Sequence, residues 1–173
     1  MGVFRQPPRT ERSVDMGDIP AEARAMIGKE RVLVYEVTKK DIRRFAQAIG
    51  DKNPLYVDEE YAKKTKYKKI IAPPLFCHAF AFEDVPAEDL REDGLPIEVD
   101  VPLPVKRAIG GASSFEVGEP ISPGDTITAT KKLVDIYKKT GKTGELYFIV
   151  IDTVYRNGKG AMVAREKATY IQR

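Results

Sequence analysis

Residues 146–154 read LYFIVIDTV, a run in which apolar side chains are almost unbroken. Its β-branched and aromatic residues are typical of strands, and a strand that is apolar on both faces belongs in the interior of a sheet. Glycine-containing segments flank the run at 141–144 and 157–160. The run therefore predicts a central strand, which we expect to extend over residues 145–156.

The rest of the second half of the chain also reads as antiparallel sheet. Further strands are predicted at 105–109, 112–117, 126–137 and 161–171, and the segments between them contain the turn-forming residues glycine, proline, asparagine and aspartate. Earlier in the chain, RVLVYEV at 31–37 predicts one more strand. An acidic, proline-bearing stretch at 83–104 predicts a long connection. Together with the helices below, this pattern indicates the α+β class.

Helical signals are concentrated in the first half of the chain. Lys39 to Ile49 has apolar residues at helical spacing, Thr38 and Asp41 form an approximate capping box, and Gly50 suits the C-terminal end. Shorter helices are predicted at 21–27 and 58–64. The stretch LFCHAFAF, residues 75–82, is apolar nearly all round and follows two prolines, which predicts a helix that is buried on most sides.

Composition restricts the class of protein. A chain of 173 residues favours one domain, which we place at 21–173 after an irregular N-terminal arm at 1–20. The net charge of +3 is too small to indicate nucleic-acid binding. Cys77 is the only cysteine, so an internal disulfide and a cysteine-based metal site are excluded, and a reducing, cytoplasmic location fits. No secretory signal and no membrane span is expected from the apolar pattern.

Two motifs carry a resemblance to a known family. The first is GDKNPLYVD at 50–58, and the second is IAPPLF at 71–76. Together they resemble the MaoC-like hydratases and dehydratases, in particular the FAS1-like N-terminal dehydratase type, whose loop reads Asp-x-Asn-Pro-x-His. The resemblance implies a single hot-dog domain, in which a long antiparallel sheet surrounds a central helix, here at residues 75–82. It also implies pairing through the sheets into a dimer or a larger assembly.

The resemblance assigns a role to each position of the two motifs. In the family, the aspartate and histidine hold the water, and a backbone N–H, usually of a glycine at the start of the central helix, holds the thioester oxygen. Asp51 and Asn53 match this pattern, whereas Tyr56 stands in place of the histidine and Pro74 in place of the glycine. A phenol with a pKa near ~10 is a poor proton acceptor at neutral pH, and proline has no N–H.

These substitutions predict the acyl-binding half of a two-subunit enzyme. We expect a subunit of an (R)-specific 2-enoyl-thioester hydratase or 3-hydroxyacyl-thioester dehydratase, with a catalytic MaoC-like subunit or a second copy as partner. The substrate is an acyl thioester of coenzyme A or of acyl carrier protein, and no cofactor or metal is expected. Asp51 is the candidate catalytic residue, and the candidate substrate-binding residues are Asn53, Tyr56, Pro74, Leu75, Lys66 and Lys68.

Alternatives remain open at this stage. His78, the only histidine, is either a displaced catalytic base or a histidine of the core or an interface. Asp51 is either a catalyst or a turn former, and the basic run at 63–69 either attracts the phosphates or acidic surface of an acyl carrier or is a solvated face. Cys77 is expected to be buried and unreactive. A hot-dog thioesterase using Asp51, or an acyl-CoA-binding module without a partner enzyme, are the competing functions.

Overall fold

A computed structural model describes residues 19–80, 88, 90, 101–141 and 144–173 of the chain. Its framework is one five-stranded sheet in which every pair of neighbouring strands is antiparallel. The strands follow the spatial order β1-β3-β4-β5-β2. Their bounds are Glu30–Glu36 (β1), Ala108–Val117 (β2), Thr126–Gly141 (β3), Gly144–Asn157 (β4) and Met162–Gln172 (β5).

Strand β4 lies in the middle of the sheet, as its apolar sequence predicts. It pairs with β3 on one side and β5 on the other. Tyr147, Ile149 and Ile151 point to one face and are at most 3% exposed, while Val150 on the opposite face is also buried. Because apolar residues occupy both faces here, the sequence lacks the polar–apolar alternation expected of a half-exposed strand.

The helices lie before the long strands, and their ends follow local capping chemistry. They are α1 (Ala21–Arg24), α2 (Lys39–Ala48) and α3 (Glu59–Lys64), with 3-10 segments at Pro54–Tyr56 and Phe76–Phe80. The Asp41 backbone N–H donates to the Thr38 hydroxyl, and the Thr38 N–H donates to the Asp41 carboxylate, so the predicted capping box is confirmed. Gly50 follows α2 with φ +71°, a conformation that glycine adopts without strain.

Two apolar clusters cover one face of the sheet, which we call the inner face. The first contains Ile42 and Ala46 of α2, the segment 70–77, and side chains such as Ile127 and Tyr155 from the sheet. In the second cluster, other core residues of the sheet pack beneath α1 and residues 101–105. Its buried members include Ile19, Ala23, Val101, Leu133, Ile136, Ile149 and Ile151. The α+β class predicted from the sequence is thus confirmed.

The predicted central helix at 75–82 differs from the structure. Residues Phe76–Phe80 form a 3-10 helix, and residues 81 and 82 lie outside the described part of the chain. The Phe76 N–H donates to the Pro73 carbonyl and the His78 N–H to the Leu75 carbonyl, which is the three-residue spacing of a 3-10 helix. Pro73 and Pro74 have no N–H to donate, so a regular helix cannot extend backwards through them.

The two strands predicted at 105–109 and 112–117 form one strand, β2, and residues 105–107 lie outside it. Gly110 and Gly111 do not interrupt the pairing with β5, which passes through them with a β-bulge. A Cβ on Gly111 would lie 2.7 Å from the Thr169 carbonyl oxygen of β5. Glycine is therefore needed here because the two backbones approach each other closely. In the sequence alone, the same pair of glycines looks like a turn.

The N-terminal arm and the acidic connection fall mostly outside the described residues. Of the arm predicted at 1–20, the structure describes Ile19 and Pro20, and Ile19 is buried in the second cluster. The helix predicted at 21–27 is shorter, since α1 ends at Arg24. Within the described part of the chain, no helix has both the length and the apolar character needed to cross a membrane. The division into arm and domain stays a prediction.

Candidate functional site

The loop after α2 is held by hydrogen bonds within itself. The Asp51 carboxylate accepts a hydrogen bond from the Asn53 N–H at 3.0 Å, and the Asn53 side-chain oxygen accepts one from the Leu55 N–H at 3.0 Å. Asn53 thereby caps the short helix that carries Tyr56. Asp51 and Asn53 are both exposed, and both side chains lie close enough to the Tyr56 phenol to shift its pKa.

Tyr56 is the residue that the sequence motif predicts to stand in place of the family's histidine. Its side chain enters the first apolar cluster, and the residue is only 7% exposed. Burial raises the pKa of Tyr56 above its ordinary value, and the negative charge of Asp51 raises it further, while the polar side chain of Asn53 acts in the opposite direction. The phenol is consequently protonated at neutral pH and can donate a proton but not accept one.

The segment that contains Pro74 and Leu75 packs against the same cluster. Ile71, Ala72 and Phe76 are buried with Tyr56, whereas Pro74 and Leu75 are exposed at the surface of this cluster. Pro74, which the sequence motif predicts to stand in place of the family's glycine, has no N–H to donate. Among the described residues no acceptor is hydrogen-bonded to the Leu75 N–H, so the first backbone donor available at this place comes one residue later.

The lysines of the basic run are exposed, but their charges are not equivalent. The Lys63 ammonium lies 2.6 Å from Glu60, and this carboxylate raises the pKa of Lys63. The Lys66 ammonium lies 5.0 Å from the centre of the Tyr67 ring, which packs against the cluster that holds Tyr56. Lys68 is exposed and has φ +61°, a left-handed conformation uncommon for a lysine.

His78 and Cys77 both lie near Glu166 of β5. The His78 Nε2 atom lies 3.8 Å from the Glu166 carboxylate, and its ring stacks on Phe115. Cys77 is fully buried, and burial followed by the charge of Glu166 raises the pKa of its thiol to about 12. The thiol is therefore protonated at neutral pH, as expected for an unreactive core cysteine. Within the described residues, no three His, Cys, Asp or Glu side chains could together hold a metal ion.

An apolar cleft of about 460 Å³ opens between α2, β1 and the Phe76–Phe80 helix. Four aromatic rings line it, and Asp41, Glu36 and Arg44 supply charges; the aromatic residues are Tyr35, Phe45, Phe76 and Phe80. Its volume lies within the range of roughly 300–1,000 Å³ that is usual for small-molecule sites. No local sequence pattern marks this cleft, because its lining comes from three separate segments.

Glu166 and Ser113 are two further polar residues that the sequence analysis missed. Glu166 is 7% exposed, and its carboxylate accepts a hydrogen bond from the Ser113 hydroxyl at 2.6 Å. A signal was present: in a strand, Glu166 must share a face with Ala164 and Ala168 rather than with Arg165. A glutamate on an otherwise apolar face is unusual and marks a position to examine.

Comparison with known proteins identifies the family. Residues 25–166 match the model described as the FAS1-like, dehydratase domain region. A UPF0336 protein of Streptomyces avermitilis is 36% identical over 107 residues, which cover 62% of this chain and 67% of that protein. A probable enoyl-CoA hydratase alpha subunit of Thermomonospora curvata is 31% identical over 133 residues, covering 73% of this chain and 41% of that one.

Solved structures show the same fold. The C-terminally truncated HadBC (3R-hydroxyacyl-ACP dehydratase) complex of Mycobacterium tuberculosis matches with a TM-score of 0.64 and 18% identity, over 84% of this chain and 96% of that chain. The described sheet is therefore that of a hot-dog protein, as the sequence motifs led us to expect. The chain belongs to the FAS1-like dehydratase domain region family, within the MaoC-like hot-dog proteins.

Proposed function

We propose that this chain is the acyl-binding, non-catalytic subunit of an (R)-specific 2-enoyl-thioester hydratase or 3-hydroxyacyl-thioester dehydratase. The observation that supports this most directly is the pairing of Asp51 with a buried Tyr56, whose pKa is raised above its ordinary value. Water addition requires a group that accepts a proton at neutral pH. A protonated phenol does not meet that requirement.

Two positions together account for the expected loss of hydratase activity. Removing a general acid or base costs roughly 10²–10⁴-fold in rate, and Tyr56 stands where that base is expected. Removing one donor to the developing oxyanion costs roughly 10²–10³-fold, and Pro74 removes that donor. Since both groups serve one transition state, their losses need not multiply fully, yet either alone leaves a poor catalyst.

Features suited to substrate binding remain. The aromatic cleft beside α2 has the size and apolar lining that an acyl chain requires. The cations Lys66 and Lys68 are exposed on the loop before the Pro74–Leu75 segment. They can attract the phosphates of coenzyme A or the acidic surface of an acyl carrier protein. We propose this role for them, with affinity that falls as the salt concentration rises.

A place for the partner is available at the sheet edge. Strand β2 is the last strand of the sheet, so no strand within the described residues pairs with the other side of its backbone. Its residues are mostly exposed, including Ile109 at 41% and Val117 at 53%. A long exposed edge of this kind invites pairing with another strand. We propose that a catalytic hot-dog subunit docks here, in the cytoplasm.

Similar proteins support a two-subunit arrangement. The HadBC structure and the ChsH1–ChsH2 structure of Mycobacterium tuberculosis are both complexes by their names. The similar protein of Thermomonospora curvata is named an alpha subunit. A homodimer would instead place two chains with the same altered motif together, which would leave the assembly without a base.

The test is to capture the tagged full-length chain from its native cells and identify what binds it. We expect a second hot-dog protein with an intact Asp-x-Asn-Pro-x-His loop, and we expect the captured complex to hydrate crotonyl-CoA. A double substitution on β2, Ile109→Asp with Val117→Asp, should abolish capture, while Val32→Asp on the opposite edge strand serves as the matched control. Recovery of the chain as an active homo-oligomer would contradict the proposal.

A further inference from the structure

Exposed apolar side chains are concentrated around the loop at 50–58. Eight large apolar residues are exposed in the described part of the chain, and four of them lie between positions 49 and 75. They are Ile49 at 53%, Val57 at 51%, Tyr61 at 46% and Leu75 at 46%. The segment is compact, since Tyr56, Ala62 and Ile71 from three parts of it share the first apolar cluster. Single exposed apolar residues are ordinary, whereas a group of them marks a place where another molecule binds.

Four exposed lysines lie in the same segment, in the run KTKYKK; they are Lys64, Lys66, Lys68 and Lys69. Tyr61 and Lys64 are three residues apart in α3, so they lie on the same face of that helix. The two acids of α3 each pair with another lysine, Lys39 or Lys63. Within the described part of the chain, no carboxylate forms an ion pair with any of the four. We refer to Val57, Tyr61, Leu75 and the four lysines as the docking patch.

The backbone that carries three of these lysines is fixed by the side chain of Thr65. The Thr65 hydroxyl donates to the Ala62 carbonyl at 2.7 Å and accepts from the Tyr67 N–H at 3.3 Å. The Lys68 N–H donates to the Thr65 carbonyl at 3.2 Å, and Tyr67 packs against the first apolar cluster. Because this turn is already ordered, binding of a partner to the lysines costs little backbone entropy.

Lys68 adopts a backbone conformation that is unfavourable for a lysine. Its φ is +61°, in the left-handed region where a Cβ atom is crowded and glycine is preferred. Among the described residues, it is the only one other than glycine with a positive φ. Its ammonium group forms no ion pair with those residues that would offset the cost. An observed strain of this kind indicates a functional use of the side chain.

The docking patch is suited to a protein rather than to a nucleotide. Ligands such as coenzyme A are held in concave sites with a few converging polar groups. The cleft of about 460 Å³ is lined by none of the patch residues, and the lysines are exposed on a helix end and a turn. Apolar side chains surrounded by charged ones are instead the arrangement of a protein–protein interface. Since the charged groups of the patch are four cations, the complementary partner is acidic.

We infer that the docking patch binds an acyl carrier protein, so that the substrate of this chain is carried by that acidic protein rather than by coenzyme A. The inference rests on the function proposed above, which requires one of these two carriers. Carboxylates of the carrier pair with the lysines and attract the carrier over about 10 Å at 0.1 M salt. Apolar side chains of the carrier cover Val57, Tyr61 and Leu75 and exclude water from the contact.

Isothermal titration of the full-length chain with the apo form of the host's acyl carrier protein tests the inference. The apo form has no prosthetic arm, so its binding reports the contact between the two proteins and not the acyl chain. We expect binding that weakens as the salt concentration rises. We expect Lys66→Gln to weaken it about two- to fivefold and Tyr61→Ala about fivefold or more.

The matched control for charge is Lys139→Gln. This exposed lysine lies near the far end of β3, twelve residues beyond Ile127 of the first cluster. Twelve residues of strand extend roughly 40 Å. The variant loses the same charge as Lys66→Gln but is remote from the docking patch, so it should bind the carrier as tightly as the unaltered chain.

Lys68→Gly separates a role in binding from a role in the fold. Glycine relieves the strain of a positive φ, which offsets its greater freedom in the unfolded chain, so the Tm should not fall. Affinity for the carrier should nevertheless decrease about two- to fivefold. A lower Tm with unchanged affinity would show that Lys68 serves the fold alone and would overturn its place in the docking patch.

The outcomes separate this inference from the proposed function. No binding of the apo carrier, or binding that Tyr61→Ala and Lys66→Gln leave unchanged, would overturn the docking patch. Tight binding of coenzyme A itself that Lys66→Gln weakens would also overturn it, because the lysines would then recognise phosphates. Hydration of crotonyl-CoA by the isolated chain would contradict the non-catalytic role alone, since weaker carrier binding by these variants would still support the docking patch.

Discussion

Placing histidine at position 56 and glycine at position 74 should give the chain hydratase activity. In the double variant Tyr56→His with Pro74→Gly, the imidazole takes the place of a side chain that is 7% exposed and lies beside the Asp51 charge. That carboxylate would orient the imidazole and favour its protonated form as it accepts the proton. The glycine adds an N–H immediately before that of Leu75, giving two adjacent donors. Pro74 is exposed, so its removal opens no cavity, and the cost is on the order of 0.4–1 kcal/mol from backbone freedom.

The expected gain follows from the contributions of the two groups. The base contributes roughly 10²–10⁴-fold and the oxyanion donor roughly 10²–10³-fold, and since they stabilise one transition state their product is an upper limit. We therefore expect the double variant to hydrate crotonyl-CoA at least about 10²-fold faster than the unaltered chain. The assay is the loss of enoyl absorbance, with thermal unfolding as a check on folding.

Two control variants test whether the gain comes from the imidazole and its carboxylate. Tyr56→Phe keeps the ring and supplies no base, so it should remain inactive. Asp51→Asn in the double-variant background should remove the gain, because the imidazole then loses its carboxylate. A folded double variant with no activity above the unaltered chain would refute the view that these two positions account for the missing chemistry.

Three further predictions concern stability and reactivity. The Cys77 thiol, whose pKa is raised to about 12 by burial, should resist iodoacetamide at pH 8 until the protein is unfolded, as mass spectrometry would show; rapid native labelling would contradict it. Asp152→Asn should lower the urea midpoint at pH 7, because hydrogen bonds from Arg165 lower the pKa of Asp152 in the folded protein. The difference in midpoint between the variant and the unaltered chain should shrink as the pH falls below about 4, where the unfolded state takes up the proton. A difference that stays constant with pH would be inconsistent with this. Gly111→Ala should destabilise the protein by about 1–3 kcal/mol in urea unfolding, since its Cβ would lie 2.7 Å from a carbonyl oxygen, whereas Gly110→Ala meets nothing within 4 Å and should be much milder; equal effects would argue against the close contact.

Local chemistry made much of the fold predictable. Helix α2 begins at Lys39 as expected, because its cap at Thr38 and its apolar spacing lie within a dozen consecutive residues. Strand β3 extends to Gly141, beyond its predicted end at 137. Pairing with β4 holds residues 138–141 in the strand, although these mostly polar residues show no strand pattern of their own. Gly111 was read as a breaker because its close contact is formed with another strand, which the local sequence does not reveal.

The same distinction holds for the candidate site: contacts between residues close in sequence were predictable, and contacts between distant segments were not. The turn at Asp51 and Asn53 depends on hydrogen bonds between residues two apart, so its form follows from the local sequence. The proximity of His78 and Glu166 joins a short helix to the last strand, and no local pattern pairs two residues so far apart in the chain. The alternation along β5 did place Glu166 on the apolar face, and that signal could have drawn attention to it.

The central claim is that this chain binds an acyl thioester but does not supply the base that activates water. The most direct test compares kcat/KM for crotonyl-CoA hydration by the purified chain alone and by the same chain bound to its catalytic partner. We predict turnover that is close to background for the chain alone and at least about 10²-fold faster for the complex, as expected when a base is gained. Equal turnover by the chain alone and by the complex would contradict the claim.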